Sequence, residues 1–241
     1  MSVQEEVIRR LAAAERRLET LESREVRRLI TDYRWLRGYS DDFFGLSYDT
    51  THHWTPATNG AASWARLQDG LHGGILRLQS NAANGDFATI FLGDAADGFD
   101  TLDPTEGFTI QVKMNVLTQG AAGNFRGVFG ITDVARTRRI DVGLNRWQSA
   151  NNWIIQCQDA AGKSTTNTGV AYNQQHHYHA IQVGPVTGGG RQVQYWLDGT
   201  LIGTHTTNID PNPRTAFVEI YSGTADQRRL DLDWIRILPL T

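Results

Sequence analysis

The chain changes its hydrophobic period once. From Val7, apolar residues recur at alternating gaps of four and three (Val7, Leu11, Ala14, Leu18, Leu21), the a and d seam of a heptad repeat with Leu11 and Leu18 at a. This predicts a helix over residues 3–36, opened by the capping-box spacing of Ser2 and Glu5 and stopped at Gly38. Glu25 and Arg28 break the seam, and Val26, Leu29, Tyr33 and Leu36 resume it one residue late. Either the coil absorbs the shift, or it ends near Arg24 and the remainder splays as a collar. From Phe43 the period becomes two. Phe108, Ile110, Val112, Met114 and Val116 alternate with Thr109, Gln111, Lys113 and Asn115, and Ile140, Val142 and Leu144 with Asp141, Gly143 and Asn145. Asp198-Gly199 between two such runs marks a two-residue hairpin. About eleven runs of this kind, between residues 75 and 238, predict strands with no helix among them. The expected protein is mainly β: a large antiparallel sandwich over 38–241 behind an α-helical coiled coil over 1–37.

Charges refine the helix. Arg10 and Arg17 each precede an a residue, and Glu15 and Glu22 each follow a d residue. The repeated frame resembles the short trimerisation motif of parallel coiled coils, in which Arg lays its stem across the seam and pairs with a Glu of the next helix. The resemblance implies a homotrimer assembled by Val7, Leu11, Ala14, Arg17, Leu18, Leu21 and Glu22. An amphipathic helix packed on its own domain is the alternative, though it does not require both flanks charged in register.

Composition removes several classes of function. A net charge of -3 gives no basic face for nucleic acid; residues 1–37 carry nine arginines against seven acids, and the remainder is acidic. Cys157 is the sole cysteine, so no intrachain disulfide and no cysteine metal cluster can form. No window approaches the roughly 20 apolar residues of a membrane span, and the first residues lack a secretory signal's apolar core. The expectation is a soluble protein made in a cytoplasm, without membrane insertion.

The strand sequences in order carry a second resemblance. Gly73-Gly74 before a run, Phe108–Met114, Phe129–Asp133, Asn152-Trp153, His177–His179, Tyr195–Ile202 and Leu230–Ile237 together resemble a concanavalin A-like, laminin G-like jelly roll, the fold of family 16 glucanases. A trimeric stalk bearing such a head is similar to tailed-phage fibre, receptor-binding and capsid-decorating proteins. That likeness implies a virion protein made in the host cytoplasm, with other virion proteins as partners of the N-terminal region and a cell-surface glycan as ligand.

The candidate chemistry favours binding over cleavage. The Glu-x-Asp-x-x-Glu string that family 16 enzymes use is missing, and beyond the helix only Glu106 and Glu219 are glutamates. A polysaccharide lyase of the same fold is faintly echoed by Tyr172-Asn173-Gln174, but its Gln-Ile-His or Gln-Val-His string is absent. His177 and His179 share a strand face without evident metal partners. The resemblance implies no cofactor beyond a structural calcium on Asp231 or Asp233, since oxygen ligands suit that ion. Taking apolar parity as the core, the opposite parity presents Arg126, Asn145, Trp147, Gln156, Gln194 and Trp196, expected on the concave sheet as a stacking and hydrogen-bonding surface for sugar. A polysaccharide-degrading hydrolase or lyase, and a purely structural decoration protein, stand as the alternatives. The heptad reading has a direct check: Leu18→Asp should reduce a trimeric mass to a monomeric one in sedimentation equilibrium while leaving the β-rich circular dichroism of the heads unchanged.

Overall fold

The computed structural model describes residues 39–41, 54–68, 74–81, 83–92, 101–118, 123–133, 135–148, 151–186, 190–212, 214–224 and 226–240. The predicted seam, Val7 to Glu22, lies outside them. The described residues form strands, numbered in chain order, and no helix. Sheet A runs β14 (Thr200–His205), β13 (Arg191–Leu197), β12 (His177–Pro185), β7 (Phe108–Thr118), β16 (Arg228–Pro239), β4 (Gly74–Ser80) and β3 (Ser63–Gln68), with β1 (Tyr39–Asp41) beside β16. Sheet B runs β11 (Lys163–Ala171), β10 (Asn152–Gln158), β9 (Arg139–Asn145), β8 (Phe125–Thr132), β15 (Arg214–Ser222), β5 (Phe87–Leu92) and β2 (Trp54–Thr58), with β6 (Thr101–Leu102) beside β15. This is the two-sheet antiparallel sandwich that the alternation predicts, in the jelly-roll form that the resemblance implies.

Alternation explains the strands it found and those it missed. The inward residues of β7, Phe108 to Val116, meet Ile181, Val183, Leu230, Leu232 and Ile235 in the core. Asp198 (φ 49) and Gly199 (φ 80) both adopt the left-handed conformation of a type I′ turn between β13 and β14. By contrast β11 reads Lys-Ser-Thr-Thr-Asn-Thr-Gly-Val-Ala, with no apolar face to detect. It is held instead by pairing with β10 and by His205 of β14, whose ring nitrogens meet Ser164 and Thr166 at 2.8 Å. β1 and β6 are too short to show a period, and β2 contains Pro56.

The two sheets differ in their outward faces. On sheet A burial alternates along β4 and β13, so one face is core and the other meets solvent. On sheet B, β9 is buried at every position and β15 at nearly every one. The backbones of β8 and β9 approach so closely that a Cβ on Gly143 (φ 144) would stand 2.3 Å from the Gly127 carbonyl, which reserves the position for glycine. No helix of the described residues is long and apolar enough to cross a membrane.

The core contains histidine. His179 is buried beside Trp153, ring centroids 4.8 Å apart, with Nδ1 2.8 Å from the Tyr195 hydroxyl. Burial pushes its pKa down to about 3, since a charged imidazole would lose its water there. The unfolded chain therefore binds this proton first as pH falls. Stability should drop from about pH 6.5 downwards, by as much as about 1.4 kcal/mol per pH unit from this group. Denaturant unfolding of His179→Gln at about pH 7 and about pH 5.5 should show a smaller pH-dependent loss than the parent; an equal loss would remove His179 from the account.

Candidate functional site

The outward face of sheet B carries a closed ionic layer. Glu219 of β15 is fully buried, with Arg126 Nη2 of β8 at 2.5 Å from Oε1 and Arg136 Nη1 at 3.2 Å from Oε2. Thr89 of β5 donates to the same carboxylate at 3.1 Å. Arg139 of β9 lies 3.8 Å from Glu219 and pairs with Asp141 on its own strand. Arg136 sits in the β8–β9 turn at φ 60, a conformation costly for a non-glycine residue, with its guanidinium 3.8 Å from the Phe87 ring centre. Burial alone would push the Glu219 carboxyl up, but the charges of Arg126, Arg139 and Arg136 outweigh it and hold it at about 2. Burial raises the Asp141 carboxyl, against the pull of Arg139. Beside this layer Phe91, Val128 and Phe217 form an apolar cluster with Ala57 packed on it.

The six predicted sugar-binding residues do not share a face. Arg126 is committed to Glu219 and stacks over Tyr221 at 5.1 Å. Asn145 and Gln156 are buried and bond to each other, Nδ2 to Oε1 at 3.1 Å. Trp147 is 40% exposed at the end of β9, edge-on to Tyr221 at 5.4 Å. These four belong to sheet B or its rim. Gln194 and Trp196 lie on β13, on the outward face of sheet A. Strand parity identifies which side of its own sheet a residue occupies, but not which sheet the strand joins, so the single expected surface divides into two facing opposite ways.

Sheet A offers the open site. A groove of about 450 Å³ is lined by Thr109, Gln111, Tyr178, Ala180, Gln182, Trp196 and Trp234, with Gly199 at one end. Register places Trp196 against Ala180, Ala180 against Gln111, and Tyr178 against Lys113, which faces Trp234. Tyr178 and Trp234 approach at 6.0 Å between ring centroids. Tyr178 is 54% exposed, as is 47% of Leu201, the cross-strand partner of Trp196. Gln111 is among the outward residues that the alternation of β7 predicts, and Tyr178 and Gln182 follow the same alternation on β12. Trp234 was hidden from it, because β16 shifts register between Leu232 and Trp234 and reverses its parity there.

The groove's end wall is fixed from inside. Asp198, in the β13–β14 turn, accepts from Tyr178 N–H at 2.9 Å and stands 2.6 Å from His177 Nδ1. The other ring nitrogen of His177 lies 2.5 Å from Asn173 Oδ1, which also accepts the Gln175 N–H. Burial pushes the Asp198 carboxyl up, and the His177 and Tyr178 hydrogen bonds bring it below the ordinary carboxylate range. His177 and His179 do share a face, as their spacing predicts, but it is the face turned inward.

Asp231 and Asp233 are engaged by cations. Arg77 grips Asp231 with two hydrogen bonds, at 2.8 and 2.9 Å, and Arg229 lies 3.4 Å away. Asp233 meets Lys113 at 2.5 Å. Among the described residues no three His, Cys, Asp or Glu side chains converge as metal ligands.

Solved structures share this architecture. A prokaryotic β-1,3-1,4-glucanase (lichenase) derived from a mouse hindgut metagenome superposes with a TM-score of 0.59 and 16% identity, covering 85% of this chain and 100% of its own. The endo-β-1,4-glucuronan lyase of the fungus Trichoderma reesei gives 0.58 at 9% identity, over 85% and 96%. The carbohydrate recognition domain of Emp47p gives 0.53 at 9%, over 85% and 98%. No family model matches the sequence, and no curated protein does. The fold is thus a concanavalin A-like jelly roll, shared with proteins that bind or degrade glycans; identities this low carry the fold alone.

The ionic layer has a measurable signature. Glu219→Gln leaves the buried Arg139 and the half-buried Arg126 and Arg136 short of a counter-charge and should cost roughly 3–5 kcal/mol at neutral pH in denaturant unfolding. Because the folded-state pKa is depressed, the stabilisation is present above about pH 4.5 and lost as pH falls toward about 2, so the variant should lose less stability than the parent across that window.

Proposed function

We propose that this protein binds a glycan, without cleaving it, in the groove on the outward face of sheet A. The observation that carries the reading is the convergence of Tyr178, Trp196 and Trp234 with the amides of Gln111 and Gln182 and the hydroxyl of Thr109 around one open depression. Aromatic faces pack on the C–H faces of sugars, while amides and hydroxyls supply directional bonds. Carboxylate chemistry favours binding as well. A retaining or inverting glycosidase needs one carboxylic acid still protonated at working pH and open to substrate, and Glu219 is held ionised within a shell of arginine.

In this reading the N-terminal heptads assemble three heads into a trimer and attach them to a virion, as the coiled-coil likeness implies. Three weak sites held together bind a repetitive surface far better than one. Calcium on Asp231 or Asp233 would require displacing the arginine and lysine that now hold those carboxylates.

Titration against a glycan array should find ligands, with Trp196→Ala and Tyr178→Ala each weakening them about tenfold or more, a loss of about 1.4 kcal/mol or above. Incubation with the bound polysaccharides should yield no new reducing or unsaturated ends. New ends would establish an enzyme, and a blank array with a folded protein would leave a structural role.

A further inference from the structure

The charges around the groove narrow the kind of sugar it takes. Beyond the register shift in β16, Ile235 and Ile237 point inward, and Arg236 stands outward and exposed. It is the direct cross-strand partner of Gln111, a groove-lining residue, which pairs with Ala180, which pairs with Trp196. Trp196, Ala180, Gln111 and Arg236 therefore form one row across four adjacent strands, about 14 Å from end to end at the usual strand spacing. Arg236 also lies two residues along β16 from Trp234, about 6.8 Å, on the same side.

Arg236 differs from the other cations of this face. Lys113 is paired with Asp233, and Arg77 and Arg229 with Asp231. Among the described residues the Arg236 side chain makes no hydrogen bond or ion pair. On β4, β7 and β16 the outward face thus sets four cations, Arg77, Lys113, Arg229 and Arg236, against two carboxylates, in a chain whose net charge is -3. Among the described residues no Asp or Glu lines the groove to repel an anion. A guanidinium presents a planar fork of donors that matches an anionic group with two parallel hydrogen bonds.

Resting on the glycan reading above, we infer that the groove selects an anionic glycan, one whose sugar ring lies against the aromatic wall of Trp196 and Trp234 while its negative group accepts from Arg236. The negative group is a carboxylate at C6 or a sulfate ester, which share this chemistry. Arg236 is then the residue that sets specificity, and the aromatic residues supply the bulk of the contact.

Isothermal titration with matched tetrasaccharides tests this: β-1,4-linked glucose, its C6-carboxylated counterpart built of β-1,4-linked glucuronic acid, and the 6-O-sulfated form. At least one anionic probe should bind about three- to tenfold tighter than the neutral one. Arg236→Gln should erase that preference while leaving neutral binding unchanged, Arg236→Lys should keep part of it, and raising salt from about 50 to about 500 mM should shrink it in the parent. A carboxylate preference without a sulfate preference identifies the uronate as source, and the reverse identifies the sulfate ester. Equal binding of all three probes, or a preference that survives Arg236→Gln, overturns the anionic assignment and leaves the glycan reading standing. Binding of none, with the protein folded, overturns both.

Discussion

A carboxylate taken wholly out of water survives ionised only if cations surround it, and Glu219 is the point where this fold meets that requirement. Arg126 reaches it from β8, Arg139 from β9, and Arg136 from the turn between them. Those strands thereby acquire a second buried face, cross-linked by charge instead of filled by aliphatic side chains. The arrangement is costly to assemble and costlier to break, because removing any one member leaves another charge buried without its complement. Arg136 even accepts a left-handed backbone to take its place.

This layer makes the two outward faces unequal. In a two-sheet sandwich the outward faces are the surfaces available to ligands, and here one of them is occupied by the protein's own ion pairs. Sheet A keeps the ordinary arrangement, core on one side and solvent on the other, and its solvent side gathers indole, phenol and amide groups over four neighbouring strands. The His177–Asp198 contact links the two halves of that design. It lies on the inner side of β12, yet it holds the turn that closes the groove on the outer side.

Much of this was legible in the residues. Runs such as Phe108–Val116 and Ile140–Leu144 declared their strands because one face of each had to be apolar, and Asp198-Gly199 declared its turn because both residues tolerate positive φ. What escaped notice had no local signature. β11 is polar on both sides because it sits at an edge, and Glu219, apparently isolated in sequence, draws its partners from residues 126–139, some eighty to ninety positions away. The six residues expected on one surface divide between the two sheets for the same reason. Parity places a side chain on one side of its own strand, but assignment to sheet A or sheet B depends on long-range pairing, which alternation does not encode.

The register shift in β16 has a consequence for the origin of the groove. Leu230 and Leu232 point inward, so an unbroken alternation would also have sent residues 234 and 236 inward and left the isoleucines at 235 and 237 in water. Asp233 acts as a frame shift in the strand. One additional residue exchanges two core positions for an outward-facing tryptophan and arginine and keeps the strand's hydrophobic side intact. The side chains that sheet A presents outward can thus be exchanged by the insertion of a single amino acid, a far shorter evolutionary step than rebuilding the face residue by residue.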